Sequence, residues 1–350
     1  MLRNHAQIMK ILAIESSCDE TAVAIVENGT RVLANVIESS AAAHAQTGGV
    51  VPEVAARDAA QKIFPAIERA LHEAELGNDD IDALGVTIGP GLMGSLLVGV
   101  ETARTLAYLW EKPLIPVQHI TGHICANRLE VEDDIRFPAL VLTVSGGHND
   151  LILWTDDFAF ERIGYTIDDA SGEAFDKGAR ILGLGFPGGP QIAKLATQGN
   201  PQMYEFPRPM LQSGDLNFSF SGLKTALLYA VRDHGGLEQI DEQTLAHLAA
   251  SYQEAICDTL AHKLFRALDT QPQTQEVHLT GGVSASLRLR EMIEAEAQRR
   301  DITFRYPKRM SYCTDNAAMI GGAAYWKYRA NLNNGWDWRD VEATLKRDLV

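Results

Sequence analysis

Short apolar runs broken by small polar turns open this chain. "KILAIESS" from Lys10, "TAVAIVENG" from Thr21 and "TRVLANVIESS" from Thr30 each predict a strand. "VPEVAARDAAQKIFPAIERALHEAEL" then carries apolar residues at helical spacing, with Pro65 as a point of bending. "IDALGVTI" reads as a buried strand, "GPGLMGS" as a glycine-rich turn into an apolar helix, "KPLIPVQ" as a short strand, and "HITGHICANR" as a helix start.

The pattern then begins again. "FPALVLTVSGGHNDLILWTDD" is strand, glycine turn, strand, and "AFERIGYT" a third strand. "DDASGEAFDKGARILGL" is a helix, and the Pro-, Gly- and Ser-rich residues 184–245 fit an insertion with short helices. A long helix ("LAHLAASYQEAICDTLAHKLFRALD"), a strand ("EVHLTGG"), a helix ("VSASLRLREMIEAEAQRR"), a strand ("ITFRYP") and a helix ("CTDNAAMIGGAAYWKYRA") follow. The order β-β-β-α-β-α-β-α therefore occurs twice, which predicts a duplicated α/β protein. Its expected parts are an N-terminal lobe over 9–130, a C-terminal lobe over 136–330 and a tail over 331–350. A cleft between the lobes is the expected ligand position.

With 350 residues, 46% of them apolar and 22% charged, the chain should be globular. The formal net charge of −15 excludes strong nucleic-acid capture by overall attraction. The charge is uneven: residues 281–350 hold 12 Lys/Arg against 9 Asp/Glu, the first 280 hold 19 against 37. A polyanion would meet the C-terminal part, or a partner's surface. Four scattered cysteines, without CxxC spacing, suit reduced thiols in a cytosolic protein. The start "MLRNHAQIMK" lacks a signal-peptide core, and Glu101 and Arg104 interrupt the longest apolar stretch. A soluble, cytoplasmic protein without a membrane span is expected.

Several motifs bear on chemistry, each with a plain alternative. His119 and His123 stand four apart, so on a helix they share one face and can chelate a divalent cation. Ile120 stands where the zinc peptidases carry their glutamate base, which removes the main support for proteolysis. Asp315 could add an oxygen ligand, or merely cap the helix it opens. "SGGH" at Ser145–His148 lets backbone amides approach an anion, or is a simple hairpin turn. Asp19 and Glu20 in "ESSCDET" could hold a cation or take a proton, or be solvated turn residues. "LTGGVSASLR" could seat a nucleoside at a helix start, or be strand-to-helix punctuation. Gly188 and Gly189 in "GFPGGP" offer a pocket wall or a tight loop, and Lys224 an anion contact or a solvated helix start.

Together the motifs "ESSCDET", "GGVVPEVAARD", "GPGLMGSLLVG", "HITGH", "VSGGH", "SGEAFDK", "FPGGP", "FSFSGLKT", "GGVSA" and "CTDNAAMI" fall in the order of one family. From about Met9 to Arg329 the chain resembles the bacterial tRNA N6-adenosine threonylcarbamoyltransferases, formerly described as O-sialoglycoprotein endopeptidases. The resemblance implies the two-lobed, ribonuclease H-like fold of actin, sugar kinases and heat-shock chaperones. It implies one divalent metal ion per subunit, iron first and zinc second, on His119, His123 and Asp315. It places substrate binding on Thr143, Val144, Ser145, Gly146, Gly147, Asp176, Gly189 and Ser286, and a catalytic acid or base on Asp19. The family usually has Asn at the position of Ser286 and Thr at that of Asn149. Serine offers one hydroxyl in place of an amide, which suits a weaker or water-bridged nucleoside contact.

The activity so implied is transfer of threonylcarbamoyl from threonylcarbamoyl-AMP to N6 of adenosine 37, in tRNAs reading codons that begin with A. The implied partners are tRNA, a paralogous subunit of the same fold and a small ATPase. A small-molecule kinase of the same fold is the alternative, a metallopeptidase a weaker one, and a scaffold that only dimerises a non-enzymatic third. Neither kinase nor scaffold accounts for the histidine pair.

Overall fold

The computed structural model describes residues 8–39, 51–331, 336–346 and 349. The first strands, β1 (Lys10–Glu15), β2 (Glu20–Glu27) and β3 (Arg31–Ser39), are followed by α1 (Pro52–Glu73), β4 (Ala83–Gly89), α2 (Met93–Trp110), β5 (Leu114–Gln118) and α3 (His119–Cys125). The second series runs β6 (Ala139–Val144), β7 (Asn149–Asp156), β8 (Ala159–Tyr165) and α4 (Ser171–Ile181). After it come α5 (Gly188–Ala196), α6 (Ser221–Asp233), α7 (Glu242–Thr270), β9 (Glu276–Thr280), α8 (Leu287–Arg299), β10 (Thr303–Arg305) and α9 (Ala317–Ala330). The anticipated element order holds, with α5 and α6 as the short helices of the insertion. Gly48, Gly49 and Val50 of the motif "GGVVPEVAARD" lie outside the described residues.

Each series builds a five-stranded sheet, ordered β3-β2-β1-β4-β5 and β8-β7-β6-β9-β10. In the first, β1 pairs antiparallel with β2 and parallel with β4, and β4 pairs parallel with β5. In the second, β6 pairs antiparallel with β7 and parallel with β9, which pairs parallel with β10. The two sheets share one topology, so the duplication read from the pattern is a duplication of architecture.

Continuous apolar runs, rather than alternation, mark strands covered on both faces. Leu12 and Ile14 of β1 join Val23 and Ile25 of β2 in a core with Ile63 and Ala66 of α1 and Val100 and Ala103 of α2. On the opposite face Ala13 and Val26 lie against Gly321 of α9. Burying each Leu or Ile contributes about 1.5–3 kcal/mol, and no strand-face position of β1 beyond Lys10 remains exposed.

The chain divides into two compact units: Met1–Asp134 with Asp157–Ala159 and Pro307–Val350, and Ile135–Asp156 with Phe160–Tyr306. This differs from the lobe boundary expected near residue 330. The reason is α9: its small residues Gly321 and Ala324 allow close approach to the first sheet, against Val26 and Gly85 respectively, so the last helix returns to the first unit. The segment after it belongs there too, since Val341 enters the first core and the Thr344 amide donates to the Ile88 carbonyl at 2.7 Å. In the second unit, Leu140, Leu142 and Leu279 of the sheet pack with Phe218, Phe220 and Tyr252.

The apolar stretch around Glu101 is α2, which buries one face (Leu96, Val100, Ala103, Ala107) and exposes Leu97, Tyr108 and Leu109 on the other. Among the described residues no helix is long and apolar enough to cross a membrane.

Candidate functional site

Strands β1, β4 and β5 run parallel in the first sheet, so their C-terminal ends gather at one edge. There the sequence turns polar. β1 ends in Glu15, β4 carries Thr87, and β5 leads directly into α3, whose first residue is His119. Every residue of α3 is buried. The rings of His119 and His123 lie edge to face with centroids 4.6 Å apart, the one-face arrangement that their spacing requires.

Asp315 reaches this pair from the far end of the sequence. The capping alternative falls away, because Asn316 is the N-cap of α9 and its Oδ1 accepts from the Met319 amide at 3.1 Å. The Asp315 carboxylate is therefore directed elsewhere: its Oδ1 lies 3.2 Å from His123 Nε2 and 3.5 Å from His119 Nε2. Gly122, between the histidines, makes room for this approach, since a Cβ there would come within 2.6 Å of Ile320 Cδ1. One potential ligand atom from each of His119, His123 and Asp315 lies within 4.8 Å of the others. All three residues belong to the first unit, not to opposite lobes as the sequence division had it.

The donor set fits a divalent cation. Two imidazole nitrogens and one carboxylate oxygen suit iron or zinc and leave coordination positions for other molecules. Burial alone would lower the pKa of His119, but the carboxylates of Asp315 and Glu15 overcome it and hold it at about 9. His123 moves the other way: burial pushes its pKa down, and the neighbouring His119 charge adds to this. Asp315 and Glu15 set their carboxylates against the two imidazoles, a field that favours positive charge, and a cation bound there would take the place of the proton on His119 Nε2.

Two residues not anticipated from the pattern, Glu15 and Ser17, complete the centre, beside the expected Asp19 and Glu20. Glu15, fully buried, lies with Oε2 3.1 Å from His119 Nδ1, and Ser17 Oγ is also 3.1 Å from that nitrogen. The carboxyl of Glu20 is pushed up to about 9 by burial, with Asp315 and its hydrogen-bonding neighbour Asp19 adding to the effect. Glu20 therefore holds a proton at neutral pH while sharing a hydrogen bond with Asp19. The only signal for Glu15 in the sequence was a carboxylate closing an otherwise apolar strand.

The second unit gathers the remaining expected residues at the C-terminal ends of β6 and β9. Thr143 and Val144 end β6, both fully buried, and Thr143 Oγ1 has no hydrogen-bond partner among the described residues. The turn closes by Ser145 N donating to the His148 carbonyl at 2.8 Å and His148 N donating to Ser145 Oγ at 3.2 Å. A Cβ on Gly146 or Gly147 would meet nothing within 4 Å, so these glycines leave backbone facing open space. Gly172 at the start of α4 does need to be glycine, because a Cβ would lie 2.6 Å from the Ser145 carbonyl oxygen. Its amide donates to that oxygen, and the Glu173 amide to the Gly146 oxygen, each at 3.2 Å.

Asp176 of α4 accepts from the Gly188 amide at 2.7 Å, which ties it to the start of α5 beside Gly189. Ser286 caps α8, its hydroxyl accepting from the Leu289 amide at 3.3 Å. Gly281, at φ +87°, packs so close to β6 that a Cβ would lie 2.4 Å from the Val144 carbonyl oxygen. The turn before α8 and the glycine turn after β6 are thus neighbours. Lys224 is not simply solvated but pairs with Asp169 at 3.3 Å.

Two α/β units built on one strand order define the actin and sugar-kinase class of fold, here with a cluster of two buried histidines and a half-buried aspartate able to hold a metal ion. Solved structures of that class are similar: T. kodakarensis HypF (TM-score 0.62, 15% identity, 92% of this chain and 48% of that one), and component A of the Acidaminococcus fermentans (R)-2-hydroxyglutaryl-CoA dehydratase (TM-score 0.53, 14% identity, 92% and 99%). At such identities the likeness concerns the fold alone. Residues 31–322 match the family model of tRNA N6-adenosine threonylcarbamoyltransferase. Proteins of that name from Kosmotoga olearia and Bacillus subtilis are 47% and 46% identical, over 93% and 94% of this chain and 95% and 93% of theirs. The chain belongs to the tRNA N6-adenosine threonylcarbamoyltransferase family, and it is an acyltransferase acting on tRNA.

Proposed function

We propose that this chain transfers threonylcarbamoyl from threonylcarbamoyl-AMP to N6 of adenosine 37 in tRNAs reading codons that begin with A. Family membership supports the reaction, and the single observation that carries the chemistry is the convergence of His119, His123 and Asp315.

The exocyclic amine of adenine is a weak nucleophile, because its lone pair is delocalised into the ring. It needs an activated carbonyl, and the mixed anhydride provides one with AMP as leaving group. The N6–C bond forms, the C–O bond to AMP breaks, and one proton leaves N6. His119 Nε2, His123 Nε2 and Asp315 are the groups suited to hold the cation, with iron the first candidate and zinc the second. When bound, such an ion supplies Lewis-acid polarisation of the carbamoyl oxygen. Asp19 takes the N6 proton, and its partner Glu20 keeps the second proton of the pair. In the second unit, Thr143–Gly147 offers backbone amides and an unpartnered hydroxyl to the donor's phosphate. Asp176, Gly189 and Ser286 contact its nucleoside. A base in a single-stranded loop can be splayed out for such a reaction without breaking a duplex.

A paralogous subunit of the same fold and a small ATPase complete the system in this reading, and the protein works in the cytoplasm. The net charge of −15 supports a division of labour in which partners supply basic surface for tRNA. The test combines purified chain, candidate partners, unmodified tRNA, threonine, bicarbonate and ATP, with nucleoside analysis of the product. Threonylcarbamoyl-adenosine at position 37, abolished by a chelator, is the expected result. Its formation at an undiminished rate by His119→Ala would overturn the role given to the metal centre.

A further inference from the structure

Glu15 is a charged residue at the end of a buried strand, with no exposed surface. Burying a lone carboxylate costs several kcal/mol unless its oxygens are paired. Here both are. Oε1 accepts from the Ser17 amide at 2.6 Å, and Oε2 accepts from Thr87 Oγ1 at 2.6 Å while facing His119 Nδ1 at 3.1 Å. The carboxylate is held from β1, β4 and the turn after β1, so its plane is fixed. It can only accept, which makes Nδ1 of His119 the donor and leaves Nε2 towards Asp315.

We infer that Glu15, backed by Thr87 and Ser17, is the positioning residue of the metal centre: it fixes the tautomer and ring direction of His119 so that Nε2 is the ligand atom. This rests on the reading of His119, His123 and Asp315 as a cation site. Glu15 itself touches neither cation nor substrate. A Gln at this place would present an amide N–H to one of the surrounding donors, Ser17 N–H on one side or the His119 and Thr87 groups on the other. One donor would then face another, and His119 would lose its defined direction.

The experiment uses the full chain stripped of metal and titrated with Zn²⁺ in competition with a chromophoric chelator, and separately with Co²⁺ while its visible absorption is recorded. Wild type should bind one ion and His119→Ala should not. Glu15→Gln should keep its circular dichroism, bind Zn²⁺ about 10–100-fold more weakly and give Co²⁺ bands of altered position or intensity. Thr87→Val, isosteric and without a change of charge, should move affinity and spectrum in the same direction by a smaller factor. If wild type binds no ion, the cation site fails and the inference with it. If wild type and His119→Ala behave as stated but Glu15→Gln has wild-type affinity and spectrum, the inference alone is overturned. Should Glu15→Gln not fold, Thr87→Val decides: an unchanged affinity and Co²⁺ spectrum overturns the positioning role.

Discussion

Glu276→Gln should destabilise the second unit strongly and in a pH-dependent way. Glu276 opens β9 and is fully buried, yet ionised. Arg136 Nε lies 2.9 Å from it, Arg305 approaches with Nε at 2.7 Å and Nη2 at 3.0 Å, and His278 Nε2 lies at 3.1 Å. Burial would raise its pKa, but the hydrogen bonds from His278, Arg305 and Arg136 win and bring it from 4.5 down to about 2. At about 1.4 kcal/mol per unit, this shift is worth on the order of 3 kcal/mol. That agrees with the low end of the ~3–5 kcal/mol lost when one partner of a buried pair is removed. The carboxylate is held low in the folded state, so its contribution is complete above the unfolded value near 4.5 and lost as pH falls towards 2. Thermal unfolding followed by circular dichroism should show Glu276→Gln melting about 6–12 °C below wild type at pH 7, at about 2–4 °C per kcal/mol. The gap should shrink to roughly half by about pH 3. A variant within about 1 °C of wild type at pH 7, or a gap that widens on acidification, would refute the reasoning.

Asp315→Asn keeps the shape but removes the negative charge that faces both histidines; it should bind Zn²⁺ at least ~10-fold more weakly and lose most transfer activity, measured by competition titration and nucleoside analysis. Gly172→Ala places a Cβ 2.6 Å from the Ser145 oxygen and 2.7 Å from Gly146 Cα, both backbone atoms. It should cost about 1–3 kcal/mol of stability, seen in thermal melts, and raise KM for the donor by a larger factor than it lowers kcat. Lys263, whose side chain is fully buried, donates to the Asp215 carbonyl at 2.8 Å and to Ser213 Oγ at 3.1 Å. Lys263→Met should release residues 210–216 to limited proteolysis while leaving metal affinity unchanged.

Much of the architecture is legible in the order of apolar runs, because strand and helix each bury a face at their own period. The two sheets, the insertion and the one-sided histidine pair follow from local pattern in this way. Asp315 is different. Read locally it is an ordinary helix cap, and only the packing of α9 gives the cap to Asn316 and turns the Asp315 carboxylate to the histidines. The unit boundary was misplaced for the same reason: nothing local in "AAMIGGAAYW" tells which sheet its small residues fit. Glu15 was invisible as a partner of His119, since a carboxylate after an apolar strand is also an ordinary turn residue.

Local pattern is enough to tell which segments are strands and helices, that they come in two matching series, and that His119 and His123 share a face. It takes the packed unit to show that β1, β4 and β5 end side by side, that α9 closes on the first sheet, and that Glu15, His119, His123 and Asp315 therefore meet. Periodicity is a property of neighbours along the chain. A centre assembled from residues 15 to 315 depends on which distant surfaces exclude water together, and that is settled only when the whole unit packs.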